Sequence, residues 1–168
     1  MTNMSNAKFV LKGNVKLYSY PADYTFDKIQ KLTESEKNEY LIDKGDNLVV
    51  DAGLAQIVDL MIATDTSSFT HCRVGSGTNT PLAADTDMQT IIGSGVTVTN
   101  RYRSGAVAYF DTFFSTSSNN GTWAESGIAN AATGGDLLCR RKFSATFTKA
   151  TTNTAVVAWT VTLAATAD

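Results

Sequence analysis

Residues 139–163 read CRRKFSATFTKATTNTAVVAWTVTL, and this run decides the fold class. Cys139, Arg141, Phe143, Ala145 and Phe147 share one side of an alternating pattern. Beyond the polar link Lys149 to Thr154, the residues Ala155, Val157, Trp159, Val161 and Leu163 do the same. Period-two alternation sends successive side chains to opposite faces of a strand, so each run has one apolar face to bury. The polar link predicts that the two strands form an antiparallel hairpin. Arg141 breaks the first apolar face and is expected at a strand end.

Upstream, Asn119, Asn120 and Gly121 form a hairpin signal, because Asn followed by Gly supplies the positive φ angles of tight turns. The returning strand is Thr122 to Ala129, and Gly134, Gly135 and Asp136 offer the next turn. An aromatic-rich strand (Tyr109, Phe110, Phe113, Phe114) is expected to pair with one beginning at Val96 and Val98. A further strand runs from Phe69 to Val74, broken by Gly75, Ser76 and Gly77, and a surface loop with Pro81 continues to Asp87. Near the N-terminus, Phe9, Leu11, Val15 and Leu17 alternate with Lys8, Lys12, Asn14 and Lys16 as a half-buried strand that Pro21 closes. Residues 20–38 form an excursion carrying Tyr20, Tyr24 and Phe26, with Thr33 to Asn38 as a loop or one helical turn. A short strand at Tyr40 to Ile42 precedes a Lys44, Gly45, Asp46 turn.

One segment has the helical period. Leu54, Ile57, Val58, Met61 and Ile62 recur at the spacing that places apolar side chains on one stripe, after the extended lead-in Asn47 to Val50. Asp51 is positioned to cap this helix, since its carboxylate can accept from backbone N–H groups that lack partners in the first turn. Seven or eight strands and one amphipathic helix near residues 52–63 predict a mainly β chain. The expected form is an antiparallel β-sandwich of jelly-roll type, a single domain over residues 1–168 with an N-terminal arm at 1–8.

Composition narrows the function. Charged residues are only 18% of the 168, against about a quarter in ordinary globular domains, so Thr, Ser, Asn and Ala cover much of the surface. Such a surface suits a protein packed against neighbours. A net charge of -2 argues against nucleic acid as a partner, since that role calls for a basic face. The polar N-terminus lacks a secretory signal and the apolar helix is too short to span a bilayer, which predicts a soluble protein made in a cytoplasm with no membrane partner. Cys72 and Cys139 are expected as free buried thiols in that setting.

Candidate chemistry is sparse. His71 is the single histidine, no serine lies in a Gly-x-Ser-x-Gly elbow, and Cys72, next to His71 on a strand, points to the opposite face. Two cysteines and one histidine lack zinc spacing, and Asp85 and Asp87 lack the glycine and terminal glutamate of a calcium loop, so a solvated loop is expected there. Gly75-Ser76-Gly77 and Gly93-Ser94-Gly95 are fragments of phosphate loops without the accompanying lysine. Arg101 and Arg103 around Tyr102, and the run Arg140, Arg141, Lys142, are expected as intersubunit ion pairs or a solvated strand face. Trp123 and Trp159 with the Phe110 to Phe114 group read as sandwich core, the alternative being a sugar-stacking platform. No catalytic residue, cofactor or metal site is expected.

The ordered set Asn47-Leu48-Val49-Val50-Asp51-Ala52-Gly53-Leu54, the helix to Ala63, Cys72-Arg73-Val74-Gly75-Ser76-Gly77-Thr78, Thr80-Pro81 and Asp85-Thr86 resembles a group of tailed-bacteriophage virion proteins. Trp123-Ala124-Glu125-Ser126-Gly127-Ile128 and Gly134-Gly135-Asp136-Leu137-Leu138-Cys139-Arg140 continue the likeness, which covers about Asn47 to Leu163. The group includes capsid-decoration and tail-collar or fibre-attachment types. The resemblance implies a non-enzymatic structural role in a virion assembled in the host bacterial cytoplasm. A capsid decoration, or cement, protein is the leading expectation. It would be a homotrimer or homodimer contacting the major capsid protein or tail proteins. A tail, collar or fibre-attachment component is the alternative, and a host-glycan-binding module a further one. Unlike the family pattern, this chain inserts Tyr24 to Lys37. Phe26, Thr78, Pro81, Arg101 and Arg103 are the expected intersubunit contacts, together with the arm Thr2 to Lys8, the excursion Tyr20 to Thr33 and the loop Thr78 to Asp87.

Overall fold

The computed structural model describes residues 8–166; of the arm expected at 1–8, all but Lys8 lies outside them. In chain order the elements are β1 (Lys8–Pro21), α1 (Phe26–Gln30), α2 (Glu34–Asn38), β2 (Leu41–Asp46), β3 (Leu48–Val49), α3 (Asp51–Ile62), β4 (His71–Gly75), β5 (Val96–Thr97), β6 (Asn100–Ser104), β7 (Val107–Phe114), β8 (Gly121–Ala129), β9 (Leu137–Lys149) and β10 (Asn153–Thr166).

The ten strands form two antiparallel sheets of five, ordered β2-β1-β10-β7-β6 and β3-β9-β8-β4-β5. One core fills the space between them. Val15, Leu17, Phe110, Phe114, Val157 and Trp159 come from the first sheet, and Cys72, Val74, Trp123, Ile128, Phe143 and Phe147 from the second. The mainly β sandwich is as the alternation predicts.

Its wiring differs from the expected hairpins. β9 and β10 do not pair; Lys149 to Thr154 carries the chain from one sheet to the other, and β10 lies between β1 and β7. Asn119 to Gly121 likewise links β7 in the first sheet to β8 in the second. Asn119 (φ 47) and Gly121 (φ 147) use the left-handed freedom the motif advertises, at a corner of the sandwich instead of a hairpin. Val96 belongs to β5 against β4, while Arg101 and Arg103 lie in β6, the actual partner of β7. Lys44, Gly45 and Asp46 are strand, not turn: a Cβ on Gly45 would collide with the Arg141 guanidinium, so glycine here marks a close approach.

Arg141, expected at a strand end, sits within β9. Its buried guanidinium pairs with the buried Asp43 of β2, and its Nη1 donates to the Asp46 carbonyl at 3.0 Å. The pair joins the edge strand β2 of one sheet to β9, the second strand of the other, which an apolar side chain could not do for the carboxylate of Asp43. Asp43 also accepts from the Ser144 backbone N–H at 2.6 Å.

Of residues 20–38, Tyr20 and Pro21 end β1, and the rest carries the two one-turn helices α1 and α2. Thr33 caps α2 in a capping box with Glu36, each side chain accepting from the other's backbone N–H. Below them Tyr18, Tyr20, Ile29 and Val156 form a second apolar cluster on the outer face of the first sheet.

Candidate docking face and outer-sheet cleft

All but Ile57 of the apolar stripe of α3 faces solvent. Leu54, Val58, Met61 and Ile62 are exposed, Met61 by 79% and Ile62 by 63%, whereas Gly53 and Gln56 are buried and Ile57 and Leu60 pack on the core. Two features orient the helix this way. Gly53 has no side chain, which lets the helix backbone settle on the Leu138 backbone of β9. Gln56 Nε2 donates to the Ser67 carbonyl at 3.0 Å, satisfying a polar group on the inner side. Asp51 is not the cap: Val50 holds that position without a side-chain bond, and the Asp51 N–H donates to the Ala83 carbonyl at 2.8 Å.

The loop between β4 and β5 is largely exposed, as its composition suggests, but it is tethered to the interior. Glu125 of β8, fully buried, accepts from the backbone N–H groups of Gly77 (3.1 Å), Gln89 (3.3 Å) and Thr90 (3.0 Å). Arg140 donates to Glu125 through Nε at 2.6 Å and to Asp85 through Nη1 at 2.6 Å. Arg73, also buried, pairs with Asp87 at 2.7 Å and donates to the Ala131 and Gly134 carbonyls. The two loop carboxylates therefore neutralise separate internal arginines. Of the basic run, Arg140 and Arg141 are interior ion-pair members and Lys142 alone is exposed. Burial pushes the Asp85 carboxyl up, but the Leu82 N–H and the Arg140 guanidinium outweigh it and hold the group below the ordinary carboxylate range.

A cleft of about 640 Å³ opens on the outer face of the first sheet. Strand register lays out its floor as two rows: Asn14, Thr160, Tyr109 and Tyr102, then Lys16, Ala158, Asp111 and Asn100. Small residues occupy the middle of the floor. The rings of Tyr102 and Tyr109 stack in parallel, centroids 4.5 Å apart and planes 2° apart. The excursion supplies the wall with Gln30, Glu34 and Lys37, the last two paired at 3.1 Å. Asp111 accepts from Asn100 Nδ2 at 3.5 Å, and burial raises its carboxyl above the usual value, Glu34 adding to the rise while Asn100 and Lys37 oppose it. Burial, reinforced by Glu34 and Asp111, pushes the Tyr18 hydroxyl up to about 12.

The expected contact residues are scattered. Phe26 packs against Phe113 under the excursion (6.1 Å), Arg101 and Arg103 are exposed on edge strand β6, and Thr78 and Pro81 lie on the internally tethered loop by β3 and β9. Arg101 donates to the Phe69 carbonyl at 3.3 Å and Arg103 to the Gly105 carbonyl at 2.8 Å. Trp123 and Trp159 are fully buried, so neither offers a platform to a sugar. His71 is half-buried at the start of β4, its Nδ1 sharing a 2.8 Å hydrogen bond with the Thr70 hydroxyl, and burial lowers its pKa. Cys72 and Cys139 are free and buried; burial raises both thiols, Cys72 to about 11, which keeps it protonated and unreactive. The cleft residues were not singled out from sequence as a site. Their signal was the polar half of each alternation, Asn14 and Lys16 opposite Val15 and Leu17, and Tyr109 and Asp111 opposite Phe110.

No protein-family model, curated protein or solved structure gives a significant match to the chain.

Proposed function

We propose that this chain is a non-enzymatic structural subunit of a tailed-phage virion, a decoration protein that docks on the capsid shell. The observation that carries the docking role is the outward apolar stripe Leu54, Val58, Met61 and Ile62 on α3. A contiguous apolar face of this kind, on a sandwich whose core is already closed, is characteristic of an interaction surface. Complete burial of one such side chain contributes about 1.5–3 kcal/mol, so four that are already partly covered give a contact that is weak singly. Around a repeating shell, many such contacts act together. The virion assignment itself rests on the resemblance of the segments from Asn47 to Arg140, and the low charge content agrees with it.

The test is co-sedimentation with purified capsids that lack the protein, using the wild type and a Val58→Glu, Met61→Glu double variant. Wild type binds and stabilises the particles against heat, whereas the double variant melts at the same temperature when free and fails to bind. Equal binding by the two proteins removes α3 from the interface. A wild type that binds tails and not capsids assigns it to the tail, collar or fibre apparatus and overturns the decoration role.

A further inference from the structure

We propose that the outer-sheet cleft is a binding site for a neutral oligosaccharide. The ligand class follows from what the cleft presents. Its charges cancel: Lys16 and Lys37 stand against Glu34 and Asp111, so there is no basic surplus to hold a phosphate chain and no acidic surplus to hold a polyamine. A peptide added as a strand would need an unpaired edge. The cleft floor is instead formed by side chains on the outward faces of β1, β10, β7 and the edge strand β6, and the first three of these strands are flanked on both sides within the sheet. An apolar ligand would strip water from Asn14, Asn100 and Asp111 without replacing their hydrogen bonds, which is costly.

A sugar ring meets each condition. One of its faces is lined by C–H groups and stacks on an aromatic ring, and the 49%-exposed ring of Tyr102, held rigid by its parallel partner Tyr109, offers that surface at one end of the cleft. The rim of the sugar carries hydroxyls that both donate and accept. Amides such as Asn14 and Asn100 can do both, Asp111 accepts and Lys16 donates, so the floor matches a hydroxyl array without needing ligand charge. Ala158 and Thr160 keep the centre of the floor low between the polar row and the tyrosines. The volume, about 640 Å³, falls within the usual range for ligand clefts, roughly 300–1,000 Å³. The excursion that closes one wall includes Tyr24 to Lys37, the segment inserted relative to the virion-protein pattern.

This site lies on the opposite sheet from α3, which packs on β9, so its test is independent of the capsid experiment. The full chain is applied to an array of neutral hexose and N-acetylhexosamine oligosaccharides, and the best binder is titrated calorimetrically. Retention of a restricted set is expected, with Tyr102→Ala and Asn100→Ala each weakening binding at least about tenfold. Both positions lie on an edge strand; the melting temperature checks that the fold survives. A Lys16→Ala variant, on the far side of the cleft, gives a second reading and should also weaken binding. The proposal is overturned if no neutral oligosaccharide is retained, if only acidic ones are, or if binding is unchanged in folded Tyr102→Ala, Asn100→Ala and Lys16→Ala proteins.

Discussion

Arg140 and Glu125 meet inside the second sheet, Nε–H to Oε2 at 2.6 Å, with both side chains shut away from solvent. The carboxylate also gathers three backbone N–H groups from the loop 76–90, so one buried charge fixes strand β9 and the start and end of that loop together. Breaking one member of a buried pair leaves the other uncompensated, typically at a cost of about 3–5 kcal/mol. Glu125→Gln keeps the shape and removes the charge. It should lower unfolding free energy by roughly that amount in urea titrations. The amides of Gly77 and Thr90 should lose hydrogen-exchange protection first, and undiminished protection there would contradict the assigned role.

Asp85 makes the same loop sensitive to acid. Its folded-state carboxyl lies below the usual range, so the unfolded chain takes up the proton more readily. The stability this contributes is present above the unfolded value, about 3.9, and is lost as pH falls through the folded one. Asp85→Asn should flatten the acid limb of the melting profile below about pH 4, with a lower plateau at neutral pH. A variant whose acid limb matches wild type would remove Asp85 as the source.

Gly53 tests the seating of α3. In an isolated helix Gly→Ala is favourable by roughly 0.5–1 kcal/mol. Here a Cβ would run into the Leu138 backbone, which cannot swing aside as a side chain can. Gly53→Ala should therefore destabilise, by about 1–3 kcal/mol as overpacking does, despite the better helix propensity. Thermal melts decide the sign.

These residues also show which parts of the structure were legible in the sequence. The alternation in β1, β9 and β10 reports that a strand has one buried face, and the sandwich follows from that. It does not report which strand lies beside which, and the links 149–154 and 119–121 carry the same turn chemistry whether they close a hairpin or cross between sheets. In α3 the apolar side chains cover more than one flank. Periodicity selects the stripe Leu54, Ile57, Val58, Met61 and Ile62, of which only Ile57 packs on the core, and the contact is decided by Gly53 and Gln56. The interior pairs of Arg73, Arg140 and Arg141 depend on partners 14 to 98 residues away in sequence, a separation no local pattern encodes. The cleft joins Asn14 to Tyr102 through three strand pairings, and only the register brings them together.

The end of α3 carries a correctable strain. Ala63 caps the helix at φ 59, ψ 28, the left-handed region that costs an L side chain roughly 1–2 kcal/mol. Its N–H donates to the Asp59 carbonyl, the bond such a cap requires. Ala63→Gly removes the steric cost but loosens the unfolded chain, and the net expectation is a gain of about 0.5 kcal/mol. A rise in melting temperature without loss of capsid binding is the expected result, and a fall would show that the Ala63 methyl makes a contact worth more than the strain.

Asp111 links stability to the cleft with the opposite sign from Asp85. Burial raises its folded-state carboxyl, Glu34 on the facing wall adds repulsion, and Asn100 and Lys37 offset part of the effect. The folded protein therefore holds this proton more tightly than the unfolded chain. Its contribution is unfavourable above the folded pKa and is relieved as pH falls through that value. Asp111→Asn removes the charge and keeps the shape, so it should raise the melting temperature at pH 7, with the gain fading as the pH falls through the folded-state value. The same substitution deletes an acceptor from the cleft floor and should weaken oligosaccharide binding. A stabilised protein with reduced affinity is the signature of a carboxylate kept for a ligand, whereas a destabilised variant would make Asp111 a structural member of the first sheet.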